Sequence, residues 1–341
     1  MARFSSACAR SPASFVIAAA LLLAAIPVSQ AQNHEGQLVV YASHPSEMVD
    51  HFAKTFGDKF GVKVTTLKAG TGELLNRIRA ERARPAGDIM WGGFSDTGNS
   101  APELFDEYRS KELANIEPKM IDSTGYNTPF DASTMVIMYN KSQVTADKAP
   151  KTWADLAKPE WKGKVVHADP SKASSALAAL NVWLMIYGKG DAAWKLVEDM
   201  TKNMTIVLRS SLVFQQIGRG EFPVGVTYEE GAFNYVTAGT AGIVYPADGT
   251  LLQPGGMFVV KGGPNPKAAR LFADYLLSAE AQAELVSKFP GRRPTRKGVK
   301  THAEMLPTDK FKIIDYDERW AADNRKQILD QMQRIIVKTQ N

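Results

Sequence analysis

Cysteine is nearly missing from this chain: the one thiol is Cys8. Beyond the N-terminal segment nothing can form a disulfide, a thiolate metal site or a cysteine nucleophile, so stability must come from burial. Histidine is sparse, and His44, His51 and His167 stand at no metal-ligand spacing, with no cysteine or paired acid beside them. The chain contains no G-x-S-x-G, no H-E-x-x-H and no P-loop, which removes the common signatures of hydrolases and nucleotide-hydrolysing enzymes. A secreted hydrolase is thereby left without a nameable nucleophile or metal set. No catalytic residue, metal site or cofactor is expected. No lysine and arginine stripe with interleaved aromatics occurs either, so nucleic acid is not an expected partner. Internal repeats and low-complexity tracts are absent.

Long apolar runs are also missing, with one exception. After Arg3 and Arg10 comes FVIAAALLLAAIPV, from Phe15 to Val28, followed by Ser29, Gln30 and Ala31. The run is short for a membrane span, and small residues follow it where a signal peptidase reads its substrate. An export signal over 1–31, cleaved after Ala31, is the expectation. Cys8 precedes the apolar run, so a lipid-anchored N-terminus is not expected. Losing Arg3 and Arg10, with no acid in the segment, lowers the formal charge from +5 to +3. The remaining length of about 310 residues exceeds what one core usually serves and points to two lobes.

Strand and helix patterns alternate along the chain. QLVVYAS, from Gln37, is rich in β-branched and aromatic residues, and Met48, Val49, Phe52, Phe56 and Phe60 then recur at helical spacing. VKVTTLKAG from Val62 and DIMWGG from Asp88 are further strands, with a helix over ELLNRIRAERARP between them. Such alternation over short loops indicates an α/β lobe with a largely parallel sheet. STMVIMYN, from Ser133 to Asn140, marks the first crossing between lobes. The second lobe holds strands at KVVHADP and FPVGVTY, with helices from Ser174 to Tyr187 and from Ala192 to Met200. GGMFVVK, from Gly255, returns to the first lobe, and helices near Pro266 to Phe289 and Arg319 to Lys338 are expected to pack there.

In open α/β sheets ligands bind beyond the carboxyl ends of strands, where helix N-termini present free N–H groups. Four such junctions are small and polar: Ser43 with His44, Thr71 with Gly72, Ser174 with Ser175, and Ser210 with Ser211. Each offers hydroxyl and backbone donors suited to a phosphate, phosphonate or carboxylate; the alternative is a cap serving only its own helix. The G-x-G at Gly70 and Gly72 lacks the third glycine of a dinucleotide loop, since Leu75 stands there. Ser95 and Asp96 follow the third strand and either line the cleft or cap the next helix. Glu229 and Glu230 either meet an ammonium group or complement a helix dipole. Tyr228, Trp91 and Phe94 are candidates for a flat wall, and Arg209 for anion compensation.

At KTWADLAKPEWKGKVVHADPS, from Lys151 to Ser171, the sequence resembles the extracellular solute-binding proteins of ABC importers, in the group that includes ferric-ion and sugar-phosphate receptors. The resemblance continues through GTGELLNRIRAERARPAGDIMWGG, GRGEFPVGVTYE and DGTLLQPGGMFVVKGGPNP, nearly the whole chain beyond the apolar segment. It implies a two-lobed α/β fold of the type II periplasmic binding class, each lobe a mixed, mostly parallel sheet flanked by helices and hinged by crossing strands. Lobe 1 is expected over 32–130 and 255–341, and lobe 2 over 131–254. It also implies a periplasmic, monomeric, non-catalytic receptor delivering its ligand to the transmembrane subunits of a permease driven by a cytoplasmic ATPase.

The paired tyrosines typical of ferric receptors would fall near Tyr228, where the chain reads Tyr228, Glu229, Glu230, Gly231. Hard Fe³⁺ would therefore lose its phenolate ligands. The sugar-phosphate receptors match better, and in them the acid of the turn at Asp248, Gly249 and Thr250 meets sugar hydroxyls, which implies that role for Asp248. The expected ligand is a small anionic organophosphate, such as a sugar phosphate, or a phosphonate. A ferric receptor using a synergistic anion and a polyamine receptor are the alternatives.

Overall fold

The computed structural model describes residues 36–340. The expected export signal and its cleavage after Ala31 lie outside the described residues.

The first lobe opens with β1 (Gln37–Ala42), α1 (Ser46–Phe60), β2 (Lys63–Lys68), α2 (Thr71–Ala80), β3 (Ile89–Phe94), the short α3 (Ser95–Asn99) and β4 (Phe105–Asp106). β5 (Thr128–Ser133) closes this run, and β6 (Met135–Asn140) begins the other sheet. One residue, Thr134, separates the two. The second lobe continues with β7 (Val165–Ala168), α4 (Ser174–Tyr187), α5 (Asp191–Thr201), β8 (Met204–Val207), α6 (Ser210–Gly218), β9 (Val224–Tyr228), α7 (Glu229–Thr237) and β10 (Ala241–Val244). The chain returns through β11 (Gln253–Val260), followed by α8 (Pro266–Leu276), α9 (Ala279–Lys288), β12 (Arg293–Pro294), α10 (Glu318–Asp323) and α11 (Arg325–Gln340).

The first sheet has the order β12-β5-β11-β3-β1-β2, with β4 beside β11, and the second has the order β10-β6-β9-β7-β8. Among the described strands, parallel pairing is confined to β2-β1-β3 and to β9-β7-β8. Strands that adjoin a crossing run antiparallel: β5, β11 and β12 in one sheet, β6 and β10 in the other. The sheets are mixed, as expected, but less parallel than the strand–helix alternation implied, because a strand leaving a crossing enters its sheet without a helical crossover.

Two cores result. In the first, Leu38, Val40, Phe52, Phe56, Trp91 and Phe272 are all fully buried. The helical spacing of Met48, Val49, Phe52 and Phe56 places those side chains on the buried face of α1. In the second, Trp153 and Trp183 join Leu177, Leu180, Val197 and Val226. The C-terminal helix is a correction. Ile328, Met332 and Ile335 of α11 belong to this second core and contact α5, so the chain crosses back rather than ending on the first lobe. Its apolar spacing showed that it must pack, and gave no indication of the surface it would cover.

Candidate functional site

Between the lobes lies a cavity of about 540 Å³, and its walls come from both sheets. Four helix starts converge on it, carrying Ser43, His44 and Ser46 before and at α1, Thr71 at α2, Ser174 and Ser175 at α4, and Ser210 and Ser211 at α6. Each set sits just after a parallel strand, where the chain must turn before its helix. Gly92, at φ 122, has no side chain to fill the space taken by the Ser43 hydroxyl.

The hydroxyls form a linked group. Thr71 Oγ1 lies 3.1 Å from Ser43 Oγ and, across the cleft, 3.2 Å from Ser174 Oγ, donating its one hydrogen to one of them and accepting from the other. Ser175 and Ser210 are 2.5 Å apart on the opposite wall. None of them is a helix cap. The N-cap positions of α2, α4 and α6 are Gly70, Ala173 and Arg209, none with a side-chain capping bond. Three helix N-termini therefore open on the cavity with their first-turn N–H groups uncapped by side chains, and each end carries roughly half a positive charge. Lys172 and Arg209 add cationic side chains on the same side.

The other end of the cavity has a different character. Arg292, 4 % exposed, sits between two carboxylates, Asp131 of the first lobe and Glu230 of the second, the latter at 2.5 Å. His44 completes the group, with Nδ1 at 3.2 Å from Arg292 Nη2. A guanidinium can only donate, so Nδ1 accepts and the imidazole proton sits on Nε2. Burial, reinforced by Arg292, holds His44 well below the usual histidine range, and it is neutral. Burial pushes Glu230 up to about 7, and the second carboxylate, Asp131, adds to the rise against the pull of Arg292. One guanidinium cannot fully compensate two buried acids. Glu230 Oε2 and Arg292 Nε have no hydrogen-bond partner. Phe214 and Tyr228 meet edge to face at 5.7 Å and supply the aromatic wall, joined by Phe94.

Of the residues singled out from sequence, Ser43, His44, Thr71, Ser174, Ser175, Ser210, Ser211 and Tyr228 line the cavity, and Phe94, Arg209 and Glu230 do so too. Six others are elsewhere. Gly72 faces the opposite lobe's backbone, its N–H 3.3 Å from Lys172 O. Ser95 is buried at the start of α3 near Glu318, and its neighbour Asp96 lies 3.8 Å from Arg325. Glu229 is locked away by Arg293, through two contacts of 2.7 Å, and by the Tyr245 hydroxyl. Asp248 is structural: it accepts from Trp153 N at 3.0 Å and from the Tyr187 hydroxyl, tying the turn to the second core. Trp91 is core, fully buried. The adjacent pair Arg292 and Arg293 thus engages the adjacent pair Glu230 and Glu229 across the lobes. Sequence reasoning noticed the acids and missed the arginines and Asp131, because a doublet of charges carries no sign of its partner.

The chain is similar to known binding proteins. A model of the family described as bacterial extracellular solute-binding protein matches residues 101–319. An uncharacterized protein of Haemophilus influenzae is 29% identical over 332 residues, 93% of this chain and 95% of that one. The Fe(3+)-binding periplasmic protein of Serratia marcescens is 29% identical over 208 residues, 59% of each chain. Among solved structures, the periplasmic binding protein AfuA of Actinobacillus pleuropneumoniae, with exogenous fructose-6-phosphate bound, superposes with a TM-score of 0.83 at 27% identity, covering 89% of this chain and 99% of that one.

Proposed function

We propose, from the premise that this chain belongs to the family of bacterial extracellular solute-binding proteins, that its cleft captures a small organophosphate or phosphonate. Membership makes the chain the periplasmic solute-binding receptor of an ABC importer, and not an enzyme. The finer reading concerns the ligand. Its phosphoryl group sits among Ser43, Thr71, Ser174, Ser175, Ser210 and Ser211, and the observation that carries this is the set of three helix starts, at α2, α4 and α6, that make no side-chain capping bond and bring their hydroxyls to one cavity. Such an arrangement favours a multiply charged oxyanion. At the far end, Asp131 and Glu230 accept hydrogen bonds from the ligand's hydroxyl or ammonium donors. Both walls contact the ligand, so the ligand favours the closed arrangement of the two lobes and is handed to the permease when they part.

The ferric reading fits the cleft less well. Tyr228 stands without a second adjacent tyrosine, and its neighbour Glu229 is already held by Arg293. Among the described residues no group of three or more histidine, cysteine or acidic side chains is placed to hold a metal ion.

The test is thermal unfolding of ligand-stripped protein with fructose-6-phosphate, alkyl and aminoalkyl phosphonates, ferric citrate and polyamines. A ligand at a hundred times its Kd adds about 2.7 kcal/mol to the folded state. The expected result is a shift with phosphorylated or phosphonate compounds that Thr71→Asp and Ser175→Asp abolish. A shift confined to iron or polyamines, or unchanged affinity in both variants, overturns the reading.

A further inference from the structure

The glycines at 70 and 72 invite a phosphate-loop interpretation, yet neither needs to be glycine for its own backbone. Both lie outside the left-handed region, and Gly72 is the second residue of α2, where alanine is intrinsically better. What requires their missing side chains is the other lobe. A Cβ on Gly72 would lie 2.0 Å from Ser171 O, and one on Gly70 would lie 2.6 Å from Lys172 O. Those obstacles are backbone carbonyls, not flexible side-chain ends. They belong to the turn between β7 and α4, which Asp169 fixes by accepting Ser171 N at 2.8 Å on its side chain and Lys172 N at 3.0 Å on its carbonyl. To reach ordinary contact the turn would have to recede by more than about 1 Å.

From this we infer that Gly70 and Gly72 form a closure seat: a backbone-to-backbone landing on which the first lobe meets the 169–172 turn of the second. Gly72 N–H docks on Lys172 O, and that approach brings Thr71 Oγ1 within hydrogen-bond range of Ser174. The two glycines are positioning residues, acting on the ligand only through the closed state they permit. The inference does not depend on which solute is bound.

The scarcity of cysteine makes the test direct. In a Cys8→Ser background, Thr71→Cys and Ser174→Cys place one thiol on each side of the seat, and the rate of oxidative cross-linking reads the population of the closed form without any ligand. Adding Gly72→Ala is expected to slow cross-linking about tenfold or more, the factor by which a tenfold loss of competent population lowers the rate. Asn76→Ala, on an exposed position of the same helix, should leave the rate unchanged. Thermal unfolding of the Gly72→Ala protein should stay cooperative at a temperature no lower than that of the background. Cross-linking of Gly72→Ala at the background rate, failure of the cysteine pair to cross-link at all, or loss of cooperative unfolding in Gly72→Ala would each overturn the inference. The last would assign Gly72 to folding and not to closure.

Discussion

Glu230→Gln tests the electrostatics of the cleft most directly. Glu230 shares the Arg292 guanidinium with Asp131, and burial raises it from 4.5 to about 7. A carboxyl whose pKa is higher in the folded protein binds a proton there over a pH range where the unfolded chain has released it. The associated stability is complete below about 4.5 and is lost as pH climbs through 7. At roughly 1.4 kcal/mol per pKa unit, the loss across that window is about 3 kcal/mol. The amide keeps the shape and one acceptor but does not titrate. Wild-type stability alone does not isolate the effect, because burial depresses His44, and depresses His167 to about 4. Both are neutral in the fold and protonate on unfolding below about 6.5, which gives a slope of opposite sign. Those contributions are common to both proteins and cancel in the difference. Urea unfolding followed by tryptophan fluorescence at pH 5, 6, 7 and 8 should show the variant gaining on wild type by about 3 kcal/mol over that range. A difference that stays flat with pH would refute the argument that two buried acids compete for one guanidinium.

Two further outcomes follow from the second core. Asp248→Ala removes the acceptor for Trp153 N–H and the Tyr187 hydroxyl, so it should lower stability by about 1–3 kcal/mol in chemical denaturation while ligand affinity by calorimetry stays unchanged; a fall in affinity with stability intact would return Asp248 to the site. Ile335→Ala should cost about 2–5 kcal/mol of unfolding free energy, because Ile335 is 5% exposed and packs α11 into the second core. A loss below about 1 kcal/mol would mean that α11 is only loosely attached.

Local chemistry made much of this protein legible before any tertiary structure was considered. The period of Met48, Val49, Phe52 and Phe56 fixes the buried face of α1, and the strand–turn–helix junctions place the cleft hydroxyls at Ser43, Thr71, Ser174 and Ser210, because a parallel strand followed by a helix delivers its turn to the same edge of the sheet. The strands β8 and β10 and the short α3 are too brief to leave a periodic signal, and none was read from sequence. Tertiary structure alone decided which charges meet. Arg292 and Arg293 are more than sixty positions from Glu230 and Glu229, and only the crossings between sheets bring β12 against the start of α7. It decided the fate of Asp248 as well, since an acid in a turn faces a ligand or a neighbouring tryptophan N–H according to what packs beneath it. It also decided that α11 covers the second lobe, and that Gly72 serves the opposing backbone instead of an anion. Residue type and spacing determine what a segment can form and what chemistry it can offer. Which partner each group finds is set by long-range packing, for which an amphipathic stripe or a charge doublet holds no address.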